Sequence, residues 1–150
     1  MFLKVAGVTG EAGDADHKNE IEVVSWSWGM QASTSSIAGE TGTGRSTMSE
    51  LEVVKRVDQA SPTLMLYLRN NKLVGQAKLT VRKAGKTPVE FLTIDLKKVR
   101  VTSLKVESQG TDLVERLRLG FAVVTVTYTP QDEKGGPGAA TVFEADAHTT

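Results

Sequence analysis

Along most of the chain, apolar and polar residues alternate with a period of two, the signature of strands that bury one face. The pattern predicts a short opening strand over residues 2–5, ended by Gly7 and Gly10, and then a polar loop over 11–19. A strand over 20–30 follows, with Val24, Trp26, Trp28 and Met30 on one face and Ser25 and Ser27 on the other. Ile21 and Val23 have the opposite phase, which predicts a bulge near Val23 and Val24. Residues 31–47 are rich in Ser, Thr and Gly and hold little that is apolar except Ile37, so a long mobile loop is expected there. Alternation resumes over 50–57, with Leu51, Val53 and Val57 inward.

One stretch has helical spacing. Ser61 and Pro62 supply an N-cap and a first-turn proline, Leu64, Met65 and Leu68 share a stripe, and Arg69 and Lys72 suit the negative end of the helix dipole. Gly75 is the expected stop. Residues 76–83 then predict a strand with Ala77, Leu79 and Val81 inward. A long extended run over 89–107 changes phase between Leu96 and Val99, so it is either one bent strand or two. A loop is expected over 108–112. The last long strand carries Leu117, Leu119, Phe121 and Val123, then shifts phase to Val124, Val126 and Tyr128. A hairpin-like loop over 131–138 and a short strand at Val142 and Phe143 would finish the fold, leaving 144–150 as a flexible tail. These elements describe a single domain over 1–150: mainly β, a small antiparallel barrel of two sheets with one short α-helix. Its expected core includes Val24, Trp26, Trp28, Leu79, Val81 and Phe121.

Composition narrows the chemistry. The 150 residues carry 18 Lys and Arg against 18 Asp and Glu, a formal net charge of zero. No global basic excess argues for nucleic acid, and no partner of that kind is expected. Zero cysteines exclude disulfides, thiolate metal sites and Cys nucleophiles. No apolar run reaches the roughly 20 residues of a membrane span, so no membrane insertion is expected. The N-terminus lacks the basic and apolar regions of a general secretory leader; export, if any, would use another machine.

Reactive motifs are thin. Gly39-Glu40-Thr41-Gly42-Thr43-Gly44-Arg45-Ser46 has the spacing of a phosphate loop, but Arg45 stands where lysine belongs and no helix pattern follows. Asp14, Asp16 and His17, with Glu11 and Glu20 nearby, offer oxygens to a hard cation without the spacing of a known calcium loop. His148 is the only other histidine, and no nucleophile elbow exists. Glu20 with Glu22 and Glu50 with Glu52 read as solvent-face strand carboxylates. No catalytic residue, cofactor or metal is expected. A rival reading from the residues alone is a monomeric β-barrel that binds a small ligand between Trp26 and Trp28.

Several strings in order along the chain carry a resemblance. They are Phe2-Leu3-Lys4-Val5, Gly10-Glu11, His17, and Glu20-Ile21-Glu22-Val23-Val24-Ser25-Trp26-Ser27-Trp28-Gly29. Further on stand Val57-Asp58-Gln59-Ala60-Ser61-Pro62, Ala77-Lys78-Leu79-Thr80-Val81-Arg82-Lys83-Ala84-Gly85, Val89-Glu90-Phe91-Leu92, Val126-Thr127-Tyr128 and Pro130-Gln131. In these the chain resembles the Hcp family (haemolysin-coregulated proteins), the tube proteins of type VI secretion systems. It departs from the family pattern over 107–115, which lack an extended Gly-rich stretch, and over 143–150, which lack the usual Gly-Trp ending.

The resemblance implies a hexameric ring, and rings stacked into a hollow tube that a contractile sheath propels. The implied partners are further copies of the chain, the sheath, a VgrG-like spike and effector proteins in the lumen. The implied location is the bacterial cytoplasm before firing, with secretion or delivery to target cells afterwards. On this reading Ser25 and Ser27 face the lumen or the subunit junction, and Ile37, Gly39, Glu40, Gly42, Gly44 and Arg45 lie in a ring-stacking loop.

Overall fold

Two antiparallel sheets share one long strand. A computed structural model of the chain describes residues 1–32, 46–83 and 89–147. Strand β1 (Phe2–Val5) lies between the two-residue β2 (Ile21–Glu22) and β7 (Val74–Arg82), with Leu3 opposite Leu79. The first half of β8 (Glu90–Gln109) pairs with β7 on one side and with β10 (Val123–Tyr128) on the other, and β11 (Thr141–Asp146) extends that sheet beyond β10. The second half of β8 pairs with β9 (Asp112–Gly120), which pairs with β6 (Leu51–Arg56), which pairs with β3 (Ser25–Ser27). The sheets meet again where the Val23 amide donates to the Met1 carbonyl and the Val24 amide to that of Val54. Leu3, Leu51, Leu79, Leu96, Leu117 and Leu119 fill the interior, all wholly buried.

That second corner corrects the expected strand over 20–30. The chain there is divided among β2, β3 and β4 (Met30–Ala32), because it leaves the first sheet after Val23 and joins the second at Val24. Both phases therefore point inward, one on each side of the corner: Ile21 and Val23 before it, Trp26 and Trp28 after it. Val24, expected in the core, stands at the corner with 46% of its surface exposed, and Met30 is 53% exposed. Leu79 is buried, and Val81 and Phe121 pack at the margin of the core with the two tryptophans.

In β8 the phase shift falls at Lys98, whose φ of +54° turns one continuous strand rather than ending it. Leu96 and Val99 are thereby both buried. The expected single strand through 117–128 breaks instead at Phe121 and Ala122 into β9 and β10, and Tyr128 is exposed. Gly110, with φ +64°, makes the tight β8–β9 turn, since Gln109 already pairs with Asp112.

The helix α1 (Ala60–Arg69) starts earlier than its sequence signals suggest. Gln59 is the N-cap and makes no side-chain cap bond; Asp58 Oδ1 accepts the Ala60 amide at 3.0 Å, and Ser61 Oγ accepts the Asp58 amide at 3.1 Å. Ser61 and Pro62 thus sit inside the first turn, where a missing proline amide costs no intrahelical bond. Ala60, Ser61, Leu64 and Tyr67 form the buried face, while Met65 is exposed. Gly75 lies within β7 rather than closing the helical segment.

Both ends of the loop expected over 31–47 are strand instead, because β4 pairs with β5 (Ser46–Met48); 33–45 lie outside the described residues. Part of the tail expected over 144–150 is strand instead, for Glu144, Ala145 and Asp146 pair with Thr125, Val124 and Val123, and 148–150 lie outside the described residues.

Candidate interaction surfaces

The acidic loop does not present a cation site. His17 is buried and stacks on Phe2, with ring centroids 4.5 Å apart. Its Nδ1 lies 2.9 Å from Glu20 Oε2 and its Nε2 2.6 Å from Glu90 Oε1, so both ring nitrogens are engaged by carboxylates. Asp14 forms a two-pronged pair with Arg82, whose guanidinium also sits 5.2 Å over the Phe2 ring. The hydrogen bonds from Arg82, and then from the Asp16 amide, hold the Asp14 carboxyl down at about 2. The same pair raises Arg82. Loop, β1, β7 and β8 are thus strapped together by charge and stacking. Among the described residues no group of three His, Asp or Glu could hold a metal ion.

Sequence reasoning missed a second polar cluster. Lys55 follows Leu51 and Val53 in the inward phase of β6, and Glu115 precedes Leu117 and Leu119 in that of β9. Both are wholly buried. The signal available was the alternation itself, which places each charged residue where an apolar one is expected.

What remains outside is strand edge and sheet face. Among the described residues β11 pairs only with β10, and β3 only with β6, so each leaves one hydrogen-bonding edge uncovered. Beside β11 a shallow, mainly apolar hollow is lined by Met30, Met48, Phe143 and Ala145. Val142 is 59% exposed on the same strand. The β8–β9 hairpin continues the core-facing row outward, leaving Val106 and Leu113 exposed.

The predicted site residues divide into two groups. Ser25 and Ser27 are exposed on the outer face of the second sheet, and Trp26 between them packs against the core. They adjoin a charged surface, for Ser25 lies across from Val54 and Ser27 from Glu52, and Glu52 in turn from Arg118. Arg118 is 3.5 Å from Glu52, and Arg116 Nε donates to Glu107 Oε1 at 2.8 Å. That bond lowers the Glu107 carboxyl and raises the Arg116 guanidinium. Ile37, Gly39, Glu40, Gly42, Gly44 and Arg45 lie outside the described residues. The β4–β5 ribbon carries the two ends of their segment.

This architecture and these strings have close counterparts. The chain matches the family described as type VI secretion system effector, Hcp, over residues 2–128. It is 40% identical over 139 residues to the protein hcp1 of Pseudomonas aeruginosa, covering 90% of this chain and 86% of that one. The crystal structure of Hcp1 from Salmonella typhimurium superposes with a TM-score of 0.81 at 32% identity, over 97% of this chain and 92% of its own. A type VI secretion system effector from Yersinia pestis gives a TM-score of 0.80 at 28% identity, over 97% and 98% of the two chains.

Proposed function

The chain belongs to the Hcp family of type VI secretion proteins, and from that premise we propose how this tube subunit assembles. Six copies close into a ring, and rings stack into the secreted tube. The observation that carries this is the pair of unlike surfaces on one protomer. Among the described residues the edge of β11, with its apolar hollow, is uncovered at the end of one sheet, and the edge of β3 is uncovered at the end of the other. A head-to-tail ring needs two such different, mutually complementary patches, and it also covers edges that would otherwise invite aggregation.

Ser25 and Ser27 face the lumen or the subunit junction in this reading. The segment 33–45, rooted in the exposed β4–β5 ribbon, meets the next ring through Ile37, Gly39, Glu40, Gly42, Gly44 and Arg45. Sheath, VgrG-like spike and effectors are the partners, and the protein waits in the bacterial cytoplasm before firing. No catalytic step is assigned to it. A core filled with leucine leaves the ligand-binding barrel without support, because the two tryptophans pack against that core.

Mass in solution tests the ring. A hexamer of the 16.1 kDa chain has a mass of about 97 kDa. The substitution Phe143→Asp, at the hollow beside β11, is expected to shift the population toward the protomer while leaving its circular dichroism unchanged. Wild-type protein that stays a single protomer at every concentration overturns the proposal.

A further inference from the structure

The chain has four methionines, and two of them meet. Met30 and Met48 are register partners across β4 and β5, so their side chains share one face of that ribbon. Both line the hollow of about 610 Å³ beside β11, together with Phe143 and Ala145. Met30 is exposed, and Met48 is partly buried against the core. Little else seats the ribbon. Among the described residues β4 pairs only with β5, and β5 only with β4. At its root the Gly29 amide donates to Ser49 Oγ and the Ser49 amide to the Gly29 carbonyl, bonds that close the ribbon on itself. A two-stranded ribbon is marginal alone, so its seat depends on packing by the two thioethers.

We infer that Met30 and Met48 form an oxidation site for peroxides, and that their sulfoxides unseat the ribbon from β11. A sulfur lone pair attacks one peroxide oxygen; the S–O bond forms as the O–O bond breaks. The proton shifts to the leaving oxygen, which departs as water, so sulfur is oxidised by two electrons and the peroxide reduced by two. The new sulfoxide oxygen is an acceptor. From β11 the side chains of Phe143, Ala145 and Asp146 line the hollow, and none carries a donor when the carboxyl is ionised. The side-chain donors there, Gln31 and Ser46, belong to the ribbon, so they hold the oxygen without holding the ribbon to β11. A polar oxygen left among carbons is costly, and the thioether withdraws. The ring reading above places a neighbour at this hollow. On that reading the sulfurs are open in the protomer, and their oxidation also keeps the protomer out of the ring.

The test treats dilute purified protein with hydrogen peroxide and follows peptide masses and hydrogen exchange. Met1 and Met65 are exposed but line no part of the hollow, so they are internal controls. Oxygen is expected on all four sulfurs. Exchange should quicken about tenfold in peptides spanning β4 and β5, while α1 around Met65 keeps its rate. Methionine sulfoxide reductases with a thiol reductant should restore the slow rate in wild-type protein. Met30→Leu with Met48→Leu, a swap that conserves volume, should hold the ribbon under the same peroxide although Met1 and Met65 still oxidise. The inference is overturned if Met30 and Met48 stay reduced while Met65 is oxidised. It is equally overturned if their sulfoxides leave the ribbon protected, or if the leucine variant loosens as much as wild type. Mass before and after peroxide separates the two proposals. Rings that survive with both sulfurs oxidised and the ribbon still protected sink this inference alone. A protein that is a lone protomer before peroxide, and whose ribbon is released by it, sinks the ring alone.

Discussion

Lys55 and Glu115 are register partners across β6 and β9, wholly buried, with Nζ 3.3 Å from Oε1. The ammonium also reaches Asp58 Oδ1 at 2.9 Å and Ser61 Oγ at 3.1 Å, so one cation ties both strands to the start of α1. Glu115 Oε2 is buried without a hydrogen-bond partner. The pair is therefore a place where an internal charge is compensated, but only on one side.

Removing the cation should be more damaging than removing the pair. Lys55→Met leaves a buried carboxylate alone and is expected to cost about 3–5 kcal/mol. Lys55→Met together with Glu115→Leu should recover most of that loss, since apolar replacements restore a dry core. Urea midpoints at unchanged slope measure both. A double variant no more stable than the single one would show that the pair contributes beyond mutual compensation.

Asp14 sets an acid limit on the loop strap. Its carboxyl is held at about 2 by Arg82, below the unfolded value of about 3.9. A depressed folded value means that the group stabilises the fold above its unfolded pKa, and that this contribution is lost as pH falls through about 2. Wild-type stability should therefore drop more steeply than that of Asp14→Asn between pH 4 and 2. Parallel acid limbs for the two proteins would remove Asp14 from the cause.

The strand pattern was legible wherever one face meets the core and the other meets solvent, as at Leu51 with Val53 and at Leu117 with Leu119. It misled where a strand changes sheets. Val24 has the phase of Trp26 and Trp28, but a corner between Val23 and Val24 resets the inward face, and no residue type marks that corner. The phase shift between Leu96 and Val99 was legible, but not that it is a bend within one strand, since a lysine stands at positive φ where glycine or asparagine would have signalled it. Ser25 and Ser27 were legible as an outward row because a tryptophan stands between them. Their charged neighbours Arg116 and Arg118 come from distant sequence, so only strand pairing brings them to the same face. The straps of His17 and Lys55 were hidden for a related reason: Glu90 and Glu115 become their partners through topology.

The corner gives a direct comparison of two aliphatic residues. Leu79→Ala removes a wholly buried side chain between β1 and β8 and should cost about 2–5 kcal/mol. Val24→Ala, at an exposed corner, should change stability by no more than about 0.5 kcal/mol in the isolated protomer. Equal losses in chemical denaturation would return Val24 to the core.

Gly10 is needed for space rather than for an unusual backbone angle. A Cβ built there would lie 2.4 Å from the Glu20 carbonyl oxygen and 2.9 Å from Ile21 Cα, both backbone atoms. The close approach exists because the loop folds back on itself: the Gly10 amide donates to the Asn19 carbonyl, the Asn19 amide to that of Ala12, and the Ala12 amide to that of Glu20. Gly10→Ala must push Glu20 away from β1 and so loosen the His17 contacts to Phe2 and Glu90. A loss of about 1–3 kcal/mol is expected, with faster hydrogen exchange at the amides of Ala12 and Asn19. Gly13→Ala is the matched control, since nothing lies within 4 Å of its added Cβ. It should stay within about 0.5 kcal/mol of wild type. If both variants exchange and unfold alike, steric closure at Gly10 is not what holds the loop against β1.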